Sequence, residues 1–195
     1  MKLIRLHAPT KPGLAALPEP AVVTVGNFDG VHCGHKAVIE QARAMAESQK
    51  RALCVLIFEP LPREYFAEQR GIPAVARLTR LRERYHALAE LGIVDYLAVA
   101  RFDAKLAAMS PVEFIQTLLL GTLRACGVVI GDDFRFGAKR AGDFGLLQHQ
   151  ARLSGFSALA AETFSLNGQR VSSTRVRSAL QRRDVATAAV LLGRV

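Results

Sequence analysis

Apolar and polar residues fall along the chain in blocks whose spacing changes from element to element. Residues 21–25 (AVVTV) form a short apolar, β-branched run that breaks at Gly26 into a loop containing Gly30 and Gly34. This reads as strand, Gly-rich turn and helix. From His35 to about Gln49 the spacing places Val38, Ala42, Met45 and Ala46 on one helical face. Ala52 to Phe58 (ALCVLIF) is then a near-continuous apolar run, the pattern of a parallel strand buried on both faces. The alternation goes on with a helix from about Leu78 to Leu91, stopped by Gly92, and a strand from Ile93 to Val99. Ser110, Pro111 and Glu113 mark the start of a helix reaching about Leu123, and Gly127 to Gly131 is a further strand. Beyond it the pattern predicts a helix over Asp143–Leu153 and extended chain over Ser157–Phe164. A hairpin turn at Asn167-Gly168 precedes Arg170-Val171, and helices follow over Thr174 to about Arg182 and Val185–Leu192. Strands alternating with helices predict a doubly wound, mainly parallel α/β sheet with a small helical end.

Composition narrows the class. Half of the 195 residues are hydrophobic and glycine and proline are unexceptional, which excludes collagenous, disordered and disulfide-knotted chains. No repeat or Gly/Ser/Pro-rich linker divides the chain, so one domain is expected, with about 1–20 as a lead-in. That N-terminus lacks the apolar core of a signal peptide, and no run approaches the roughly 20 apolar residues that span a bilayer. A soluble, cytoplasmic protein is expected, with no membrane partner. Cys33, Cys54 and Cys126 form no C-x-x-C pair and read as reduced thiols. Lys and Arg exceed Asp and Glu by 26 to 17, and from Phe134 onward by ten to three. An anion, either nucleic acid or a phosphorylated small molecule, is the expected partner of that last third.

Three stretches could carry chemistry. The first, GNFDGVHCGH (26–35), lies where an open α/β sheet binds ligands, between a strand's carboxyl end and a helix start. Its glycines match neither the dinucleotide fingerprint nor the phosphate loop of NTPases, yet they let backbone N–H groups approach an anion. His32 and His35 can face one spot and donate to a phosphoryl group in transfer; incidental surface histidines or a weak zinc site are the alternatives. The second, GDDFRFGAKRAGD (131–143), brings two acids and two aromatics off one strand. The acids could hold a ribose or, through water, a magnesium ion, while Phe134 and Phe136 either wall a flat ring or anchor the core. In the third, RVSSTRVR (170–177), hydroxyls at a helix start and arginines one turn on form either an anion cradle or an ordinary N-cap with solvated arginines.

Together with FEPLPREYF (58–66) and RLTRLRERYHALAELGIVDYL (77–97), these stretches resemble the FMN adenylyltransferase (FAD synthetase) module of the bacterial bifunctional riboflavin kinase/FAD synthetase family. The likeness runs through most of the chain and places it in the H-x-G-H nucleotidyltransferase superfamily, whose sheet is Rossmann-like. It implies transfer of AMP from ATP to FMN with Mg²⁺, giving FAD and pyrophosphate. It also implies roles. His32 and His35 would meet the α- and leaving phosphates beside Gly26, Asn27, Phe28, Asp29, Gly30 and Gly34. Ser172, Ser173, Thr174 and Arg177 would hold the outer phosphates, with Arg170 and Arg175 as further candidates and Arg177 counted with the histidines as catalytic. Gly131 and Asp133 would meet the nucleotide ribose or metal, and Val171 the adenine. The flavin would sit against Phe58, Pro60, Pro62, Asp132, Phe134 and Phe136. No resident protein-bound metal is implied.

Two departures qualify the likeness. Cys33 fills the variable position of H-x-G-H, either as a reactive thiol at a helix N-terminus or as a passive small residue. The chain also stops at Val195 where the family continues into a riboflavin kinase module, so about 183–195 reads as the start of a linker and kinase activity is not expected. Other nucleotidyltransferases of the superfamily, acting on pantetheine, nicotinamide-mononucleotide or polyol phosphates, are the rival reading. A nucleic-acid-binding module is disfavoured, because the arginines sit in loops beside glycines and no basic tail is present. A silent nucleotide-binding regulator is disfavoured by the intact histidine pair. Arg182, Arg183 and Arg194 read as surface charge.

Overall fold

In the computed structural model, which describes residues 1–6 and 15–194, six strands form one wholly parallel sheet. These are β1 (Lys2–Leu6), β2 (Ala21–Val25), β3 (Ala52–Glu59), β4 (Tyr96–Arg101), β5 (Ala125–Gly131) and β6 (Ser157–Ala161), lying in the order β1-β4-β3-β2-β5-β6. From β2 the chain moves outward to β3 and β4, then returns to β5 on the other side. The carboxyl ends of β2 and β5 therefore flank the point where the winding reverses, where open α/β sheets leave a crevice for ligands.

Period-two alternation along the strands sends one set of side chains to each face. Val22, Val55, Ile57, Leu97 and Val99 pack on one face against α1 (Cys33–Ser48) and α3 (Leu81–Ala89), through Ile39, Ala42, Ala46 and Leu88. Val23, Val25, Leu56, Phe58 and Ala98 face the other side. There they meet Phe114, Ile115 and Leu118, and Leu147 and Ala151 of α6 (Phe144–Ser154). The doubly wound architecture is as predicted.

Several boundaries differ for identifiable reasons. Lys2–Leu6, part of the supposed lead-in, is an edge strand paired with β4; residues 7–14 of that lead-in lie outside the described residues. The helix expected from Leu78 starts at Leu81, with Arg80 as its extended N-cap, and the N–H groups of Leu78 and Thr79 ahead of it bond the Asp29 carboxylate. The segment after Phe58 includes an unpredicted helix, α2 (Pro62–Gln69), with Pro at its first position, and a short α4 (Ala104–Ala108) follows β4. Ser110 caps α5 (Pro111–Glu113) as expected, but the helix continues as a π-helix over Phe114–Thr122. Two turns are too few for apolar spacing to separate i→i+4 from i→i+5 winding. The extended segment ends at Ala161, so the Asn167-Gly168 turn joins a separate two-stranded hairpin, β7 (Ser165–Leu166) with β8 (Gln169–Arg170). Both turn residues have positive φ, 54° and 72°, as a two-residue hairpin turn requires. The chain closes with α7 (Ser173–Gln181) and α8 (Val185–Leu192), packed together through Val176 and Leu191.

Candidate active site

The loop from β2 into α1 is held in an unusual path: Phe28, Gly30 and Val31 all have positive φ, at 47°, 88° and 40°. Val31 is β-branched and fully buried, so this conformation persists only because its surroundings impose it. His32 ends the loop as the N-cap of α1, its Nδ1 accepting from the His35 N–H at 3.2 Å. An accepting Nδ1 carries no hydrogen, so the ring proton is assigned to Nε2. The two imidazoles stack with centroids 3.5 Å apart and planes 15° apart, and Phe28 packs edge-on against His35. Burial lowers His32 to a pKa of about 4. His35 is held well below its ordinary value by burial and by its neighbours His32 and Arg84. Both rings are thus neutral near pH 7. Gly34 leaves little room for a side chain here: a Cβ would lie 3.0 Å from the Val171 carbonyl oxygen and 3.2 Å from His32 Nδ1, so the loop or the ring would have to give.

That contact brings the start of α7 against the start of α1. Ser172 caps α7 by accepting from the Arg175 N–H, and the Ser173 hydroxyl donates to the Asp29 carbonyl at 2.9 Å. Two helix N-termini with their free N–H groups converge beside the histidine pair, a ready anion site. Thr174 is exposed at this end, whereas the Val171 side chain is buried with Val176 and Leu191. Arg177 pairs with the Asp29 carboxylate and donates to the Ala76 carbonyl. Arg175 points elsewhere, donating to the hairpin carbonyls of Leu166 and Gln169.

Asp29 is the charge centre of this floor. Its carboxylate also accepts from Arg63 at 2.6 Å, from the N–H groups of Leu78 and Thr79, and its neighbour Gly30 donates to Thr79 Oγ1. Burial pushes this carboxyl up, but the Thr79 N–H and the guanidiniums of Arg63 and Arg177 outweigh it and hold the pKa below the usual carboxylate value.

At the end of β5, Asp132 and Asp133 are exposed. Asp133 accepts from Arg170 at 2.7 Å and Asp132 from the Thr163 hydroxyl at 2.6 Å. Behind them the aromatics form a chain: Phe102–Phe58, Phe58–Phe114, Phe114–Phe136 and Phe136–Phe134 all stand in ring contact. Phe58 and Phe136 are buried, so both anchor the core; Phe134, partly buried, forms the chain's outer end. Pro60 and Pro62, at the start of α2, are partly exposed.

Sequence reasoning passed over the residues that tie these loops together. Arg84 is fully buried, donating to the Asn27 carbonyl and to Glu59, both at 2.7 Å, and Arg77 bridges Glu59 to Glu64. Arg63 shares Asp29 with Arg177. Arg194, read as surface charge, donates to the carbonyls of Gly30 and Val31. The apparent signal for Arg84 was an arginine on the apolar side of α3, where charge is out of place. The basic excess is likewise less free than its count suggests, because Arg135, Arg170 and Arg177 each face a carboxylate. Among the described residues no helix is long and apolar enough to cross a membrane, and no three His, Cys, Asp or Glu side chains form a metal-holding cluster.

A parallel sheet with a histidine pair and two helix N-termini at its switch point defines a Rossmann-like α/β protein of the nucleotidyltransferase type. The model of the FAD synthetase family matches residues 14–175, and the chain belongs to that family. It is 46% identical over 195 residues to a bifunctional riboflavin kinase/FMN adenylyltransferase of Escherichia coli K12, covering 99% of this chain and 59% of the relative. A protein of the same description from Pseudomonas fluorescens is 44% identical over 173 residues, covering 89% and 54%. The chain thus spans just over half the length of these relatives. A crystal structure of a protein described as a macrolide-efflux protein from Streptococcus pneumoniae covers the whole chain, and 62% of its own, with a TM-score of 0.84. At 24% identity that likeness shows the fold alone.

Proposed function

We propose that this chain is the adenylyltransferase module of such an enzyme and transfers AMP from ATP to FMN. The observation that carries the reading is the stacked, neutral histidine pair at the meeting of two helix N-termini. An FMN phosphate oxygen attacks the α-phosphorus of ATP, the bond from that phosphorus to the bridging oxygen breaks, and pyrophosphate leaves with the electron pair. The second pKa of a phosphate monoester is about 6, so the nucleophile is already ionised and needs no general base. What remains is positioning and charge stabilisation.

Each part of the site has a task in that scheme. His32 Nε2–H and the His35 ring donate to the α- and leaving phosphates as neutral groups, and the first-turn N–H groups of α1 and α7 add fixed partial positive charge. Ser173, Thr174 and Arg177 face the outer phosphates. Asp133 and Arg170 lie where the nucleotide ribose would meet the end of β5, and Phe134 with Pro60 and Pro62 borders the flavin. Magnesium fits as an ion carried by the nucleotide's own phosphates, with Asp132 and Asp133 as the exposed carboxylates able to meet it or its waters; it would neutralise phosphate charge.

The test is chromatographic detection of FAD after incubation with FMN and MgATP, with riboflavin, pantetheine phosphate and nicotinamide mononucleotide as alternative acceptors. FAD from FMN alone supports the reading, whereas turnover of another acceptor and none of FMN overturns it. In the active chain His32→Ala and His35→Ala should each lower turnover by ~10²-fold, the scale of losing one preorganised donor. Unchanged turnover in both would remove their assigned role.

A further inference from the structure

The geometry points to Arg194 as a positioning residue for the loop that presents His32, an inference that rests on reading this loop as the transfer site. Its guanidinium forks onto two consecutive carbonyls: Nη2 donates to Gly30 O at 2.5 Å and Nη1 to Val31 O at 3.0 Å. Two more contacts fasten the same stretch to α1. Lys36 Nζ donates to the Gly193 carbonyl at 3.1 Å and Cys33 Sγ to the Val190 carbonyl at 3.6 Å. Gly193 permits this approach. It ends α8 in the left-handed region at φ 64°, and a Cβ there would stand 2.8 Å from Cys33 Sγ and 3.0 Å from Lys36 Nζ. Leu191 is buried against Val171 and Val176, so the strap is fixed to α7 as well.

The consequence for the site follows from peptide geometry. A trans peptide points its C=O and N–H in opposite directions. Gathering the carbonyls of Gly30 and Val31 on one guanidinium therefore turns the N–H groups of Val31 and His32 to the other side, and that of Val31 closes on the Phe28 carbonyl at 3.1 Å. Val31 is strained at φ 40° and relaxes toward ordinary backbone unless it is held. Arg194 supplies that hold immediately before the residue whose ring caps α1 and stacks on His35. A lysine presents its donors from one ammonium point and lacks the planar fork that sets both carbonyls in one geometry. Arg194 touches no reacting atom in this scheme; it acts through the backbone of the loop.

The test compares R194M, R194K and the surface control R182Q with the 195-residue chain. In R194M kcat/KM for MgATP is expected to fall about tenfold or more, the scale of losing charged hydrogen bonds. Amide exchange should rise over residues 28–35 while β3 and β4 stay protected. R194K, which keeps stem and charge, falls several-fold and carries the test if R194M does not fold; R182Q behaves as the parent. Parental kcat/KM and exchange in R194M, or in R194K where R194M cannot be purified, overturn the inference. A parent chain that makes no FAD overturns the reading of the site instead, and the exchange comparison still decides whether Arg194 holds the loop.

Discussion

Two aspartate–arginine pairs leave the sheet at neighbouring strand ends, and their surroundings are opposite. Asp29, after β2, has a side chain only 2% exposed and is held by two backbone N–H groups, Arg63 and Arg177. Asp133, after β5, is 66% exposed and faces Arg170 alone among guanidiniums. A buried carboxylate with four partners is part of the building: removing it leaves two largely covered guanidiniums without their counter-charge. An exposed pair is screened and weak, so either member can exchange its partner for a ligand at little loss. The β2 side of the crevice is thus preorganised and the β5 side adaptable, a division that would suit the proposed transfer of AMP, with a fixed point for the phosphates beside a part that admits the substrates.

The sharpest way to break this contrast is Asp29→Asn. The amide keeps the shape and can still accept one hydrogen bond, but it leaves Arg63 and Arg177 facing each other without a counter-charge. We expect a loss of about 3–5 kcal/mol in urea unfolding, the scale of breaking a buried pair, toward the lower figure because both guanidiniums retain some solvent. A loss below about 1 kcal/mol would show that Asp29 is no more structural than an ordinary surface pair.

The histidines give the next effect, through pH. The folded chain keeps His32 neutral down to about pH 4, whereas the unfolded chain protonates it near 6.5. Between those values the unfolded state binds the additional proton. Stability therefore rises with pH through this window, is complete above 6.5 and is lost as pH falls toward 4, by about 3 kcal/mol at most. His35 adds in the same direction. Asp29, with its lowered pKa, contributes above 3.8 and loses that contribution only as pH falls below it. His32→Asn keeps an N-cap acceptor and removes the titrating ring, so its unfolding free energy should fall less steeply between pH 6.5 and 4. An unchanged slope would mean that His32 is not held neutral by burial.

What was legible in the chain follows the same division. Turn glycines, the histidine pair and the apolar runs are local signals, set within a few residues by backbone geometry and periodicity, and they lie where they were expected; the hydroxyl cap of α7 falls at Ser172, one residue earlier than a helix from Thr174 implies. Arg63, Arg84 and Arg194 were not legible as site residues, because their meaning depends on partners 34, 57 and 164 positions away. An arginine read from its sequence neighbours alone looks solvated until the fold shows which carboxylate or carbonyl it meets. The edge strand Lys2–Leu6 was missed for a related reason: only its pairing with β4, not its own partly exposed pattern, makes it a strand.

The smallest effect on stability belongs to the exposed pair, and it is the finest test of the contrast. Asp133→Asn removes one exposed carboxylate whose main partner, Arg170, is 45% exposed and still has Asp132 at 3.5 Å. Unfolding free energy should change by less than about 1 kcal/mol, since the lost attraction is screened and Arg170 is rehydrated. Catalysis should respond differently. If the pair exchanges partners when nucleotide arrives, losing Asp133 changes the KM for ATP by several-fold while leaving kcat nearly as it was, the signature of binding that is uniform between ground and transition states. Asp29→Asn, by contrast, should depress kcat, because it disturbs the floor beneath His32. Equal effects of the two substitutions on stability and on the split between KM and kcat would erase the distinction between a built and an exchangeable carboxylate.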